Sequence, residues 1–166
     1  FNKHARTHTM LNDANKFYFK FAFVRNPWDR LFSVYCYRVR CNILFPKKCL
    51  KKPTTSVTPS FERWLNEIYD PDSIYHYKLE GFRSQLDYLS DYRGVMLNDF
   101  VGRFENLQSD CDKIMDRLSL PKVNLPKVNV TKHPHYSTVY TNKLIDVIAE
   151  RYADDIDYFN YDFLPS

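Results

Sequence analysis

The residues in this sequence best suited to hold an anion stand in one short run, Arg25-Asn-Pro-Trp-Asp-Arg-Leu-Phe-Ser33. Arg25 ends Lys16-Phe-Tyr-Phe-Lys-Phe-Ala-Phe-Val24, which is aromatic and closes on a β-branched residue, and so reads as a buried strand. A guanidinium at a strand end grips a phosphate bidentately and keeps its charge at any relevant pH. Asn26 is a good N-cap and Pro27 suits a first helical turn, where its missing N–H costs nothing. The helix predicted from there runs to about Arg40. Asn26, Arg30, Ser33 and Tyr37 fall on one face of it, with the Ser33 hydroxyl two turns in. Trp28, Phe32, Tyr35 and Val39 form the opposing apolar stripe. The same residues also suit a structural network in which Arg25 and Arg30 pair with Asp29 and Glu105. Spacing leaves both readings open.

The elements that must position this run follow from periodicity. Residues 41–58 carry lysines, prolines and threonines without a period and read as a surface loop. A helix starts at Thr58-Pro59, buries Phe61, Trp64, Leu65 and Ile68, and stops at Asp70-Pro71-Asp72. Gln85–Leu89 suits a short helix and Tyr92-Arg-Gly94 a turn. Asp99–Phe104 reads as a second strand, followed by a helix with Leu107, Cys111, Ile114 and Leu118 at helical spacing. Residues 119–138 read as a loop, and Leu144, Val147, Ile148 and Tyr152 mark a last amphipathic helix. Strands leading into helices favour an α/β layered fold with a parallel sheet. In such sheets ligands sit beyond the carboxyl ends of the strands, where both Arg25–Ser33 and Arg103-Phe-Glu105 fall.

Composition narrows the classes of function. At 166 residues, with 44% hydrophobic and 17% aromatic residues, the chain can bury a core and is no disordered tail. Gly occurs 3 times, too rarely for a glycine-rich phosphate cradle. Lys and Arg exceed Asp and Glu by 24 − 20 = 4, which suits one anionic ligand better than a nucleic-acid groove. No apolar run approaches the roughly 18–20 residues of a membrane span. The four cysteines, Cys36, Cys41, Cys49 and Cys111, contain no CxxC pair, so no metal site is expected. A Cys41–Cys49 disulfide and free thiols both fit.

Phe19-Lys-Phe-Ala-Phe-Val-Arg-Asn-Pro-Trp-Asp-Arg-Leu-Phe-Ser-Val-Tyr35 resembles the 3′-phosphate-binding motif of carbohydrate-type (family 2) sulfotransferases, the branch of Golgi enzymes and their bacterial relatives. Phe100-Val-Gly-Arg-Phe-Glu-Asn-Leu107, Val128-Asn-Val-Thr-Lys-His-Pro-His-Tyr136 and Tyr152-Ala-Asp-Asp-Ile-Asp-Tyr-Phe-Asn-Tyr161 are similar to later segments of the same family. The resemblance implies a three-layer, parallel-sheet, P-loop-kinase-like sulfotransferase fold. It implies transfer of a sulfuryl group from 3′-phosphoadenosine 5′-phosphosulfate (PAPS), without a metal, to a hydroxyl or amine, with a carbohydrate as the expected acceptor. Arg25 and Ser33 would bind the 3′-phosphate, Thr131, Lys132 and His133 would contact the nucleotide, and His4 would be the catalytic base. The family's basic 5′-phosphosulfate loop has no counterpart before Phe17, so residues 1–166 are expected to be the C-terminal portion of a single, N-terminally incomplete sulfotransferase domain. The alternative is a degenerate, non-catalytic member; either way these residues alone are expected to bind the donor incompletely and not to turn over. The compartment implied is the Golgi lumen for a eukaryotic member and the cytoplasm for a bacterial one.

Two other classes compete. A nucleotide kinase-like protein would share the parallel sheet but needs a phosphate loop and Mg²⁺-binding carboxylates that this sequence does not display. A non-catalytic basic and aromatic module for glycan or RNA would account for the Tyr, Phe and Lys content. It leaves the Arg25–Ser33 arrangement unexplained.

Overall fold

The computed structural model describes residues 17–44, 60–70, 82–128, 130 and 133–164, with side chains of the first stretch as far as Arg38. It divides into two compact units. The first comprises residues up to Asn26, Arg83–Val128 and Tyr152–Tyr161; the second comprises Pro27–Phe82, Asn129–Arg151 and residues from Asp162 onward.

The first unit is built on strand β1 (Phe21–Val24), paired in parallel with the later strand β2 (Phe100–Arg103). Their register runs from Phe21↔Phe100 to Val24↔Arg103. Asp99 opens the sheet, its carboxylate accepting from the Lys20 amide at 2.7 Å and pairing with the Lys20 ammonium at 3.0 Å. Helix α3 (Gln85–Leu89) precedes β2, α4 (Leu107–Arg117) follows it, and α6 (Ala153–Phe159) closes the unit. Val24, Leu89, Phe159 and Tyr161 form its buried centre, with Ala22, Leu86, Met96, Val101 and Ile156 packed around them. Between α3 and β2 the chain reverses at Tyr92-Arg93, and Gly94 takes the positive φ of 79° that the turn requires.

Buried Asp110 ties α4 to β2. Its carboxylate accepts from the Arg103 amide at 2.7 Å and from the Lys113 ammonium at 2.6 Å. Burial pushes the carboxyl up, but these two partners outweigh it and hold it below the usual carboxylate range. The stabilisation from a depressed carboxyl is fully present above the unfolded-chain value of about 3.9 and is lost as pH falls through the lower folded value. Asp110→Asn should therefore unfold with a shallower acid limb than the unmodified chain. Urea midpoints measured between about pH 2 and pH 5 test this, and an unchanged slope would refute it.

The second unit contains helices α1 (Pro27–Leu44), α2 (Phe61–Tyr69) and α5 (Asn142–Arg151). Its core is aromatic. The Phe61 ring lies 5.3 Å from both Phe32 and Tyr35 and 5.0 Å from Tyr140, while Trp28 meets Phe163 edge-on at 5.6 Å. Such offset and edge-on pairs contribute about 0.5–1.5 kcal/mol each beyond their buried area. The polar ends of the rings are used as well. Trp28 Nε1 donates to the Ile145 carbonyl at 3.2 Å, and the Tyr140 hydroxyl donates to the Trp28 carbonyl at 2.9 Å.

Helix positions follow the periodicity closely. Ser60 caps α2, its hydroxyl accepting from the Arg63 amide, and Phe61, Trp64, Leu65 and Ile68 are all buried. On α1 the buried positions are Pro27, Trp28, Leu31, Phe32 and Cys36, with Tyr35 half-buried and the side chain of Val39 outside the described residues. The helix continues four residues past Arg40 to Leu44. Val147, expected inside, is exposed, and α6 was not anticipated as a separate helix.

The three-layer parallel-sheet expectation does not hold. Among the described residues the sheet has two strands, and the fold is mostly helical. The strands do lie parallel, which the strand–helix order suggested. Two strand-like segments cannot make a wide sheet, and most remaining apolar positions recur at helical spacing. Both the strand–helix order, read as an α/β layered fold, and the resemblance, which implied a P-loop-kinase-like sheet, therefore overstated the sheet.

Candidate functional site

Arg25 leaves the C-terminal end of β1, one residue beyond the last ladder pair, Val24↔Arg103. On the partner strand the chain turns at this level into a 3₁₀ segment, Phe104–Asn106. The ladder cannot continue, and the main chain of Arg25 needs bonds from elsewhere. Gln85, at the start of α3, supplies both. Its Oε1 accepts from the Arg25 amide at 2.9 Å, and its Nε2 donates to the Arg25 carbonyl at 2.8 Å. The Arg25 guanidinium lies over the Phe104 ring, 4.3 Å from its centroid, a cation–π contact that orients the fork.

Asn26 is held by a second anchor. Its amide donates to Glu105 Oε1 at 2.6 Å, and the Tyr161 hydroxyl donates to Glu105 Oε2 at 3.2 Å. Arg103 lies over the Tyr161 ring at 4.7 Å and donates to the carbonyls of Phe159 and Asn160, closing the end of α6. Burial pushes the Tyr161 phenol up, and the Glu105 charge adds to it. Both effects keep the phenol protonated as the donor to Glu105. The motif's strand end is fixed through its backbone by two side chains, Gln85 and Glu105.

A family model described as the sulfotransferase family matches residues 1–162. The chain belongs to the sulfotransferase family. An uncharacterized protein of Archaeoglobus fulgidus is 29% identical over 105 residues, covering 63% of this chain and 71% of that protein. No solved structure matches the chain.

Within this sulfotransferase-family chain, the expected site residues fall in different places. Arg25 belongs to the first unit. Ser33, half-buried on α1, and His133 belong to the second. The exposed His133 ring meets Phe32 edge-on at 5.2 Å, and its Nδ1 donates to the Pro134 carbonyl at 2.8 Å. His4, Thr131 and Lys132 lie outside the described residues, as do Cys49 and the side chain of Cys41. Cys36 and Cys111 are buried free thiols. Among the described residues no group of three or more His, Cys, Asp or Glu side chains converges as a metal ion would require.

Sequence reasoning missed Gln85, Asp155 and Tyr161. Gln85 was read only as part of a short helix, because a neutral amide carries no signature of the backbone it will bind. A buried aspartate in an acidic stretch, Asp154-Asp155-Ile-Asp157, is likewise indistinguishable by type from its solvated neighbours.

Proposed function

We propose that this chain serves sulfuryl transfer from PAPS to a hydroxyl or amine acceptor, with a carbohydrate as the acceptor class. The observation that carries the proposal is the treatment of Arg25. The motif's arginine stands at the carboxyl end of a parallel strand, with both main-chain groups clamped and its guanidinium laid over an aromatic ring. A clamped strand end of this kind supports reading Arg25 as a fixed anion fork. Family membership over residues 1–162 supports the chemistry.

In this reading residues 1–166 work within one sulfotransferase domain. Arg25 and Ser33 bind the 3′-phosphate, and Thr131, Lys132 and His133 contact the nucleotide. The acceptor oxygen or nitrogen forms a bond to sulfur as the bond from sulfur to the 5′-phosphate oxygen breaks. His4 takes the acceptor's proton, and adenosine 3′,5′-bisphosphate leaves. Positioning and charge stabilisation dominate such a transfer, as in phosphoryl transfer.

Calorimetric titration with adenosine 3′,5′-bisphosphate tests the site. Each hydrogen bond to a charged group contributes about 1.5–3 kcal/mol, so Arg25→Ala/Ser33→Ala should weaken binding by about 100-fold or more. An unchanged affinity in the double variant would sink the proposal. Tighter binding of Mg·ATP would favour the kinase-like alternative, and tighter binding of single-stranded RNA the non-catalytic module.

A further inference from the structure

We infer that Gln85 is a positioning residue for the anion fork: it sets the direction in which Arg25 leaves β1 and thereby the selectivity for a nucleotide bearing a 3′-phosphate. The inference rests on the reading of Arg25 as the 3′-phosphate ligand.

A side-chain amide carries one acceptor oxygen and an N–H donor, as a peptide group does. At Arg25 the Gln85 amide takes the place of one more residue of a neighbouring strand, accepting from the N–H at 2.9 Å and donating to the C=O at 2.8 Å. Holding both groups around one Cα fixes φ and ψ there, and with them the Cα–Cβ direction along which the guanidinium extends. The amide is itself held. Its Nε2 lies 3.3 Å from Asp155 Oδ2, and that same oxygen accepts from the Gln85 main-chain amide at 2.8 Å. A flipped amide would set its oxygen against both the Asp155 carboxylate and the Arg25 carbonyl, so the network permits one orientation. Gln85 is half-buried and three-way bonded, and every one of its side-chain partners belongs to the first unit. A residue whose task was only to fill space there would need none of this polarity.

The test uses Gln85→Leu and Gln85→Glu, each with adenosine 3′,5′-bisphosphate and with adenosine 5′-phosphate as ligands. Gln85→Leu should bind the bisphosphate about tenfold more weakly, the loss expected for one or two unmade hydrogen bonds, and change 5′-phosphate binding by less than about twofold. Placed on Arg25→Ala, it should cost nothing further, because its effect passes through Arg25. Gln85→Glu should be weak near neutral pH, where a carboxylate faces the Arg25 carbonyl and Asp155. Relative to the unmodified chain at the same pH, it should recover below about pH 5, where a protonated carboxyl again offers one donor and one acceptor.

Equal losses for both ligands with a lowered melting temperature would mean a structural role and overturn the inference. So would a full additional loss on the Arg25→Ala background. Should Gln85→Leu fail to fold, the pH recovery of the near-isosteric Gln85→Glu decides. Bisphosphate binding that Arg25→Ala abolishes and both Gln85 variants keep would overturn this inference alone. No binding by the unmodified chain would overturn the Arg25 reading and this inference with it.

Discussion

Asp155→Ala is expected to unfold at a much lower urea concentration than the unmodified chain, with a loss of about 3–5 kcal/mol, the range for removing one partner of a buried, charged hydrogen-bond set. Asp155 is fully buried. Its carboxylate accepts from the Ser84 hydroxyl, from the Gln85 and Leu86 amides at 2.8 Å each, and from Gln85 Nε2 at 3.3 Å. The two amides are the first of α3, which no intrahelical carbonyl can satisfy. Ser84 stands at the N-cap but makes no side-chain cap bond, so the carboxylate from α6 caps α3 instead. Truncation would leave several buried donors unmet at once, which costs more than the bonds were worth. Set against a typical total of about 5–15 kcal/mol, that threatens the fold of the first unit. Asp155→Asn keeps the shape but turns an NH₂ group toward donors, so it should recover little. If either variant kept its urea midpoint at unchanged slope, the capping account would be wrong.

What the sequence made legible was local, and what it hid was reciprocal. The stripe on α2 could be read because burial of Phe61, Trp64, Leu65 and Ile68 imposes a helical period on a single segment. The strand ending at Val24 was readable from its aromatic and β-branched residues, though of β1 only Val24 is buried, and the helix at Pro27 from its start signals; boundaries shifted by a few residues. The parallel pairing was suggested by element order, but the width of the sheet was not, because no segment encodes how many others will pair beside it. The polar contacts around Arg25 were hidden for a different reason. Gln85 and Glu105 act on main-chain groups 60 and 79 residues away, and a backbone N–H has no sequence identity to match. Arg25 itself was singled out because its segment resembles a 3′-phosphate-binding motif; its type and spacing alone fit a structural network as well. The structure adds that the strand end at Arg25 is tied down by side chains the motif does not contain.

Gly102→Val should destabilise the chain strongly, because an added side chain would meet both the Phe23 ring and Asp110. Gly102 stands opposite Phe23 in the parallel register. An added Cβ would lie 2.6 and 2.8 Å from two Phe23 ring carbons and 3.1 Å from the Asp110 Cβ. The Phe23 ring covers the glycine, the arrangement by which an aromatic residue protects an otherwise bare stretch of strand. The ring can swing aside, but the Asp110 Cβ is fixed to α4 and cannot. Moving Asp110 would also stretch the 2.7 Å bond its carboxylate accepts from the Arg103 amide. Gly102→Ala is therefore expected to cost about 1–3 kcal/mol, the usual range for overpacking, and Gly102→Val to exceed it. The two contacts can be separated by thermal unfolding of Gly102→Ala with and without Phe23→Leu. If the ring is the main obstacle, the alanine should cost at least about 1 kcal/mol less when Phe23 is replaced. If the cost is the same in both backgrounds, the close approach of α4 through Asp110 sets it. The glycine would then be required by how tightly the helix after β2 folds back onto its own strand, and a gain of stability on Gly102→Ala would refute both accounts.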